Sequence, residues 1–274
     1  MMDFLTASMA FDNCRNSTEF LNKPPSEKST KYTIVMPTYH REKLITRAVQ
    51  HYSTFSNVSK IIVAWFNEQK MPTAKDIGKY LSPKSKVNLE FYWMPNFVRL
   101  RYYPYPTINT EATLNVDDDI LINENSALKA FVEWKKEKNF MYGFVARSHK
   151  VIGRNLYEYV MDETVPYSFL LANNIFMHRK YTRIYQDYTR QWENTIDRWQ
   201  SCEDIALSFM FADLNGSKDS AIKVKGSYKD IRDIGAYKGL SKRKGHHFQR
   251  SYCLNRYAER YKEFPLRKHS RIIK

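Results

Sequence analysis

Three consecutive aspartates, Asp117, Asp118 and Asp119, follow an apolar, strand-like run over residues 111–116. Carboxylates repel one another, so three of them beside a buried strand need a positive partner. Hard oxygen ligands suit Mg²⁺ or Mn²⁺, and such a metal commonly bridges protein carboxylates to the phosphates of a nucleotide. Acidic triplets also occur on solvated loops and at helix starts, where they need no ligand. The position of the triplet at a strand end favours the metal interpretation, because ligands of open α/β sheets bind at the carboxyl ends of the strands.

The bulk composition is that of a globular protein with an excess of positive charge. The 274 residues are 43% hydrophobic, enough to bury a sizeable core in one large domain or two tightly joined ones. The formal net charge of +15 predicts attraction to polyanions such as nucleic acid, acidic polysaccharide or anionic membrane. The sequence has no zinc-finger spacing, heptad-linked basic region or aromatic RNA-binding signature, so nucleic acid is not the expected partner.

Basic residues concentrate near the end of the chain, over residues 238–247 and 267–271. Two interpretations stay open for these runs, namely a solvated surface and a groove for an anionic substrate. Charge by itself does not decide between them.

The three cysteines, Cys14, Cys202 and Cys253, show no C-x-x-C spacing, so a structural zinc site is not expected. Two states of these cysteines remain open: one disulfide with one free thiol, or three reduced thiols. No apolar run is long enough to span a bilayer, and residues 1–11 lack the pattern of a signal peptide. If the protein works in a lumen, we expect its membrane anchor to be missing from this sequence.

The order of predicted elements indicates an α/β fold. Residues 1–30 form a polar leader, and strands then alternate with helical patterns from Tyr32 onward. This alternation predicts a parallel sheet with helical crossovers. The strands are expected at residues 32–36, 60–65, 87–93, 111–116 and 142–145, and the first helix at residues 42–51. Residues 120–122 restore apolar character directly after the aspartates.

A second helix is predicted after the aspartates. Asn125 and Ser126 are its expected cap, and its apolar face is expected to contain Leu128, Phe131, Val132 and Trp134. The second half of the chain is less regular, with an apolar stretch at residues 167–171, a helical segment over residues 179–199 and a helix from about Asp204. No Gly/Ser linker divides the halves, so a single domain is predicted.

Polar residues stand at several of the predicted strand exits. They are Arg41, Asn67, Asn96 and Arg101. A nucleotide diphosphate needs guanidinium and amide donors beside a metal, and neighbouring strand ends can supply them. Taken singly, each arginine is also compatible with an ordinary surface position, and each asparagine with the capping of a loop.

Six segments of the chain carry a specific resemblance to a known family. They are residues 32–41, 63–67, 116–119, 142–147, 202–206 and 249–253. In these segments the sequence strongly resembles the exostosin family of glycosyltransferases, specifically the α-N-acetylhexosaminyltransferase domain of glycosyltransferase family 64, and they follow one another in family order over about residues 32–267.

The resemblance implies a GT-A fold, which is a single α/β domain with a Rossmann-like mixed sheet and helices on both faces. The domain would cover residues 31–267, with a nucleotide-sugar half at residues 31–125 and an acceptor half at residues 126–267. Residues 268–274 would form a basic tail.

The resemblance also implies a UDP-sugar donor and an Mn²⁺ ion held chiefly by Asp119, with Asp117 as the other candidate ligand. Asp117 and Asp118 would face the nucleotide and the sugar. Contacts to UDP would come from Arg41, Asn67, Asn96 and Arg101. The reacting sugar would lie between Asp204 and Arg250, with Glu203 as a further site candidate. The family is similar in having a disulfide at the positions of Cys202 and Cys253.

The implied function is Mn²⁺-dependent, retaining transfer of N-acetylglucosamine or N-acetylgalactosamine from UDP to a glycan. The expected acceptor is anionic, with the uronic-acid-terminated backbone of heparan sulfate as its setting, in the Golgi or endoplasmic reticulum lumen. A homodimer is one candidate state. Pro37 departs from small vertebrate members, which predicts the loss of one contact to uracil. Asn173-Asn174 replaces a Gly-Ala pair of relatives, which leaves acceptor identity and donor preference open.

Two other functions compete with this interpretation. The first is a polyanion-binding protein that keeps the fold but has lost transfer, and the second is a basic nucleic-acid-binding domain. The aspartate triplet together with Asp204 and Arg250 argues against both, because neither rival needs these residues.

Overall fold

The computed structural model describes residues 30–162, 165–216, 221–234 and 243–274. Its strands are β1 (Tyr32–Thr38), β2 (Val58–Trp65), β3 (Asn88–Trp93), β4 (Ala112–Val116), β5 (Ile120–Ile122), β6 (Met141–Gly143), β7 (Ala146–Gly153), β8 (Leu156–Val160), β9 (Phe169–Leu170), β10 (Asn174–His178), β11 (Ala221–Val224), β12 (Tyr228–Asp230) and β13 (Ile272–Ile273). Its α-helices are α1 (Glu42–Tyr52), α2 (Ile77–Tyr80), α3 (Glu124–Lys136), α4 (Lys180–Thr189), α5 (Glu193–Trp199), α6 (Glu203–Leu214) and α7 (His246–Ala258). Short 3-10 helices lie at Val98–Tyr102, Arg190–Trp192 and Arg232–Ile234.

An eight-stranded mixed sheet forms the centre of the molecule, in the order β13-β11-β6-β10-β4-β1-β2-β3. Strand β1 pairs in parallel with β2 and β4, and β2 pairs in parallel with β3. Strand β10 runs antiparallel to β4 and β6. The four parallel strands therefore end at one edge, where their exit loops meet the start of β10.

Helices cover both faces of this sheet. Helices α1 and α3 pack on one face with Ile34, Phe131 and Phe176 in the shared core. On the other face, α4, α6 and α7 pack against Ile175 and Met177. Neighbouring residues of β10 enter different cores because successive side chains of a strand point to opposite faces. The predicted α/β class, mixed sheet and single domain are confirmed.

Helix α6 is a core helix. Its residues from Glu203 to Ala212 are all buried, so it is enclosed by protein on every side. A helix surrounded in this way holds its first turn in a fixed position, and that turn carries Glu203 and Asp204.

The prediction for helix α3 was wrong in its cap and partly wrong in its face. The side chain of Asn123 caps the helix and accepts hydrogen bonds from the backbone N–H groups of Asn125 and Ser126. Phe131 and Trp134 are buried as expected, but Leu128 and Val132 are each 38% exposed. The buried stripe is completed by the small residues Ala127 and Ala130, which let the helix approach the sheet closely.

The predicted leader and the basic segments near the end of the chain lie only partly within the described residues. Of the predicted leader at residues 1–30, only Thr30 lies within the described residues, and Cys14 and residues 238–242 lie outside them. Within the predicted basic tail, β13 pairs in parallel with β11 and so adds a strand to the main sheet. None of the described helices is long and apolar enough to cross a membrane.

Replacing Asn123 by alanine should lower the free energy of unfolding by about 1 kcal/mol, because two N–H groups of the first helical turn lose their acceptor. The matched control is Asn125→Ala two residues later, which leaves the cap in place and should change the unfolding free energy by less than about 0.5 kcal/mol. Urea unfolding of the three proteins measures both values. Equal effects at the two positions would contradict the assignment of the cap.

Candidate active site

The aspartate triplet lies at the carboxyl edge of the parallel strands and is held by arginines. Nη1 of Arg41 donates hydrogen bonds of 2.8 Å to Oδ1 of Asp118 and of 2.8 Å to Oδ2 of Asp119. The hydroxyl of Thr38 donates to the other carboxylate oxygen of Asp118, also at 2.8 Å. Thr38 is the last residue of β1 and Arg41 lies in the loop that follows it, so the end of one strand supplies the partners for the end of its neighbour.

Arg101 joins the triplet to the second half of the chain. Its Nη2 lies 2.5 Å from Oδ1 of Asp117 and donates a 3.1 Å hydrogen bond to the carbonyl of Ala172. Its Nη1 lies 3.5 Å from a carboxylate oxygen of Glu203. The guanidinium is buried, with 5% of the side chain exposed. One side chain therefore contacts both the metal-candidate triplet and the first turn of α6.

Asp204 and Arg250 form a second buried pair beside this bridge. Nη2 of Arg250 donates a 2.7 Å hydrogen bond to Oδ2 of Asp204, and its guanidinium carbon lies 4.5 Å from the centre of the Tyr159 ring. A disulfide joins Cys202 to Cys253, with 6.2 Å between the Cα atoms. The crosslink ties the start of α6 to α7, so the segments that carry Asp204 and Arg250 are covalently connected.

The loop after β3 contacts the segment between α5 and α6 through Gln200. The side-chain amide of Gln200 accepts a 2.9 Å hydrogen bond from the backbone N–H of Val98 and donates one to the carbonyl of Asn96. Gln200 has a left-handed backbone with φ of 50°, and Cys202 does too, with φ of 76°. Non-glycine residues hold this conformation only where their surroundings enforce it. The amide clamp of Gln200 is one such constraint.

The 3-10 helix that carries Arg101 has its own anchor. Nε of Arg99 lies 2.9 Å from both carboxylate oxygens of Asp197, and its Nη2 contacts Glu193. Arg99 is buried with 5% exposure, so these ion pairs are shielded from solvent. They fix the turn before Arg101 against α5.

Several buried polar atoms near this edge have no hydrogen-bond partner among the described residues. They are Nδ2 of Asn67, Nε of Arg101, Oδ1 of Asn173, Nδ2 of Asn174, Oγ of Ser201 and Nε of Arg250. Buried polar groups in folded proteins are nearly always paired, so a group of unpaired ones needs a reason. Donors and acceptors converging at a strand edge are what a polar ligand requires.

Burial changes the titration of the charged groups. It raises the pKa of Glu203 to about 7, with the charge of Asp204 adding to the rise and Arg101 opposing it. Burial likewise raises the pKa of Asp118 to about 7 against the effect of Arg41. For Arg101, burial lowers the pKa, but Asp117, Tyr102 and Glu203 together more than offset this, so the pKa is raised and the guanidinium stays charged.

Asp117 and Asp119 are the residues of the triplet that can hold a metal. Both oxygens of Asp118 accept hydrogen bonds from protein groups, whereas the ion pairs found for Asp117 and Asp119 each use one oxygen. No group of three or more metal-ligating side chains occurs within the described parts of the chain. Two carboxylates fit Mg²⁺ or Mn²⁺, which commonly bind one or two protein carboxylates together with phosphate oxygens and water.

The structure thus brings most of the predicted site residues together. Arg41, Arg101, Asp117, Asp118, Asp119, Glu203, Asp204 and Arg250 form one continuous set of charged groups. Asn67 lies at the same edge, where its Oδ1 accepts a hydrogen bond from the backbone N–H of His40. The contact found for Asn96 is between its backbone carbonyl and Gln200, and it does not reach the charged set.

Three contributors were not predicted from the sequence. Thr38 could have been found, because it ends the same strand that leads to Arg41. The sequence contains no comparable signal for Tyr159 and Gln200, because each contacts a residue that is distant in the chain.

Comparisons with known proteins show which family and which relatives the chain resembles. Residues 32–274 match the glycosyl transferase family 64 domain. The chain is 31% identical over 263 residues to Exostosin-like 2 of Mus musculus, an alignment covering 92% of this chain and 78% of that protein. It is 29% identical over 248 residues to Exostosin-2 of Mus musculus, covering 89% of this chain and 34% of that protein. It is also 29% identical over 280 residues to glycosylinositol phosphorylceramide mannosyl transferase 1 of Arabidopsis thaliana, covering 92% of this chain and 80% of that protein.

Replacing Glu203 by glutamine should flatten the pH dependence of stability. The folded protein retains the Glu203 proton from its ordinary pKa of 4.5 up to about 7, where the unfolded chain has released it. Wild-type stability therefore falls as the pH rises through this window. Urea unfolding at pH 5, 6, 7 and 8 measures the difference between the two proteins.

The control for this experiment is Glu259→Gln, which changes a carboxylate that is 60% exposed. Its unfolding free energy should follow the wild-type curve over the same pH range. Parallel curves for Glu203→Gln and the wild type would contradict the predicted shift.

Proposed function

Because the chain belongs to glycosyl transferase family 64, we propose that it transfers N-acetylglucosamine or N-acetylgalactosamine from UDP to a glycan, with Mn²⁺ and with retention of anomeric configuration. One observation carries the proposal, namely the contact of Arg101 with both Asp117 and Glu203. This contact joins the carboxylates suited to a metal and diphosphate to the acidic turn beside the Asp204–Arg250 pair.

In the proposed reaction, the bond from the anomeric carbon to the diphosphate oxygen breaks and a bond to an acceptor hydroxyl oxygen forms. The products are UDP, the lengthened glycan and a proton. Negative charge grows on the departing diphosphate, and the guanidinium groups of Arg101 and Arg250 stabilise it. Both are buried and already oriented by ion pairs, so little reorganisation is needed as the charge develops.

Positive charge grows on the sugar as the same bond breaks. Asp204 supports it electrostatically from the first turn of α6, where the backbone N–H of Ile205 donates a 2.8 Å hydrogen bond to its Oδ1. The ion pair with Arg250 and this hydrogen bond hold the carboxylate in one orientation. Asp204 is thus a positioned anion facing the reacting centre.

Asp119 and Asp117 would hold Mn²⁺ through the oxygens that their arginine partners do not use. When bound, the metal neutralises part of the charge of the diphosphate. Asp118 has a different role, because it fixes Arg41 and Thr38 at the end of β1. The unpaired Nδ2 of Asn67 at this edge is a donor for the nucleotide.

The proposed acceptor is an anionic glycan, with the uronic-acid-terminated backbone of heparan sulfate as the first candidate. The net charge of +15 favours an acidic acceptor and product. The disulfide between Cys202 and Cys253 suits an oxidising compartment, so we place the protein in the lumen of the Golgi or endoplasmic reticulum.

Mannose is the second candidate sugar, because one similar protein is named a mannosyl transferase. Asn173 and Asn174 lie where β10 begins, next to the triplet, and the backbone N–H of Asp117 donates a 3.1 Å hydrogen bond to the carbonyl of Asn173. Their unpaired amide atoms can recognise hydroxyl as well as acetamido groups.

A donor screen tests the proposal and separates the two sugars. UDP-N-acetylglucosamine, UDP-N-acetylgalactosamine and GDP-mannose are each incubated with the protein and Mn²⁺ without an acceptor, and slow hydrolysis is measured. Hydrolysis of a UDP-N-acetylhexosamine alone supports the proposed donor. Hydrolysis of GDP-mannose alone would replace it. If the protein binds heparin but, in the presence of Mn²⁺, binds neither the UDP-sugars nor GDP-mannose, it is a polyanion-binding protein that has lost transfer activity.

Replacing Asp119 by alanine should abolish Mn²⁺-dependent UDP binding, because one of two candidate ligands is lost. Isothermal titration calorimetry with UDP, with and without Mn²⁺, measures the effect. The control is Asp187→Ala, which removes a carboxylate that is 51% exposed on α4. Unchanged Mn²⁺-dependent binding in Asp119→Ala would refute the metal role of Asp119.

Replacing Asp204 by alanine should spare UDP binding and lower the transfer rate by roughly 100-fold or more, since electrostatic support for the reacting sugar disappears. Calorimetry and a transfer assay on the same preparation separate the two effects. The conservative change Asp204→Asn keeps the side-chain size and should show a similar loss of rate. Transfer at the wild-type rate in both variants would exclude the assigned role.

A further inference from the structure

Two exposed aromatic side chains of helix α7 and one partly buried tryptophan form a surface patch beside the segments that carry the candidate active-site residues. This aromatic face consists of Trp199, Phe248 and Tyr252. Phe248 is 68% exposed and Tyr252 is 42% exposed. They lie four residues apart on α7, so they project from the same side of the helix. The ring centres of Trp199 and Tyr252 are 4.6 Å apart. Contiguous exposed aromatics of this kind mark interaction sites.

The aromatic face is continuous with the segments that carry the reacting residues. Trp199 ends α5 three residues before Cys202, and Tyr252 immediately precedes Cys253, the disulfide partner of Cys202. Arg250 projects from the buried side of the same helix α7. The aromatic face therefore lies about one helix diameter, roughly 10 Å, from the Arg250 side. Because the helix itself lies between the two sides, only the part of a ligand that extends several rings beyond the reacting sugar would reach the aromatic face.

Exposed basic residues flank the aromatic face along the chain. Arg198 directly precedes Trp199, and Arg243 and Lys244 directly precede the first turn of α7. All three side chains are exposed. Aromatic rings bordered by cations fit a ligand that has both apolar ring faces and anionic groups. An acidic polysaccharide has both, because the C–H side of a pyranose ring is apolar and its uronic acid carboxylates are charged.

We propose that the aromatic face binds pyranose rings of the acceptor glycan beyond the sugar that reacts. Phe248 and Tyr252 pack against the ring faces, and the neighbouring basic residues pair with carboxylates. This inference rests on the proposed transferase function, and it adds a subsite that prefers long acceptors over short ones.

The test compares acceptors of two lengths in Phe248→Ala, Tyr252→Ala and the double variant. The probes are a disaccharide and an unsulfated octasaccharide of alternating glucuronic acid and N-acetylglucosamine. We expect the double variant to raise KM for the octasaccharide about tenfold while KM for the disaccharide, kcat and acceptor-free donor hydrolysis stay unchanged. Phe248→Tyr and Tyr252→Phe keep the rings and should retain the wild-type KM.

The control is Val151→Ala, which removes an apolar side chain that is 66% exposed on strand β7. It should leave KM for both acceptors unchanged. Equal losses on the two acceptors, or no loss on the octasaccharide, would overturn the proposal. The aromatic face could instead bind a second copy of this chain, and sedimentation velocity tests that case. If the variants change the mass of the protein in solution without changing KM, the face is a contact between two copies and the proposal is overturned.

Direct binding keeps the inference testable if the transferase proposal fails. The wild type and the double variant are titrated with the octasaccharide by calorimetry, without donor or metal. Weaker binding by about tenfold in the double variant supports the aromatic face whatever the donor screen shows. Equal affinity overturns it, and absence of Mn²⁺-dependent UDP binding in the wild type separately overturns the proposed function.

Discussion

The buried guanidinium of Arg101 is the contact on which the candidate site depends. It pairs with Asp117 at the end of β4 and with Glu203 at the start of α6, residues 86 positions apart in the chain (203 − 117). A buried charge that loses its partner costs several kcal/mol, so neither segment can move away without a large penalty. The same side chain also donates to the carbonyl of Ala172, which fixes the approach of β10. The first and second halves of the chain are therefore held together by electrostatics at the candidate site as well as by the core beneath it.

Arginines offset most of the negative charge of the aspartates. Arg41 lies between Asp118 and Asp119, and Arg101 balances Asp117, so the repulsion expected of three adjacent carboxylates is offset by two arginines. The ion pairs of Asp117 and Asp119 use one oxygen each, which suits a shared divalent cation. Unpaired donors on Asn67, Arg101 and Arg250 converge on the same edge. Such a preorganised set of charges and dipoles is what stabilises a developing negative charge at low reorganisation cost.

Some parts of this arrangement could be predicted from the sequence and others could not. The parallel strands and their polar exits were predictable, because strand periodicity and βα alternation are local signals. The face of α3 was predicted only in part, since the 3.6-residue period defines a stripe but not which neighbouring element covers it. Ala127 and Ala130 face the sheet where Leu128 and Val132 were expected. The clamp from Gln200 to Asn96 and Val98 left no pattern at all, because it depends on a side chain meeting a loop about a hundred residues away.

The amino-acid sequence by itself determined the α/β class, the order of the first strands and the placement of Asp117, Asp118 and Asp119 at a strand end. These follow from periodicity and chain connectivity, which act between near neighbours. The tertiary structure decided that the triplet meets Arg41 and Arg101, that Arg101 reaches Glu203, and that Trp199 meets Tyr252 on an open surface. Those contacts depend on how the helices pack across the sheet, and packing is set by the whole core.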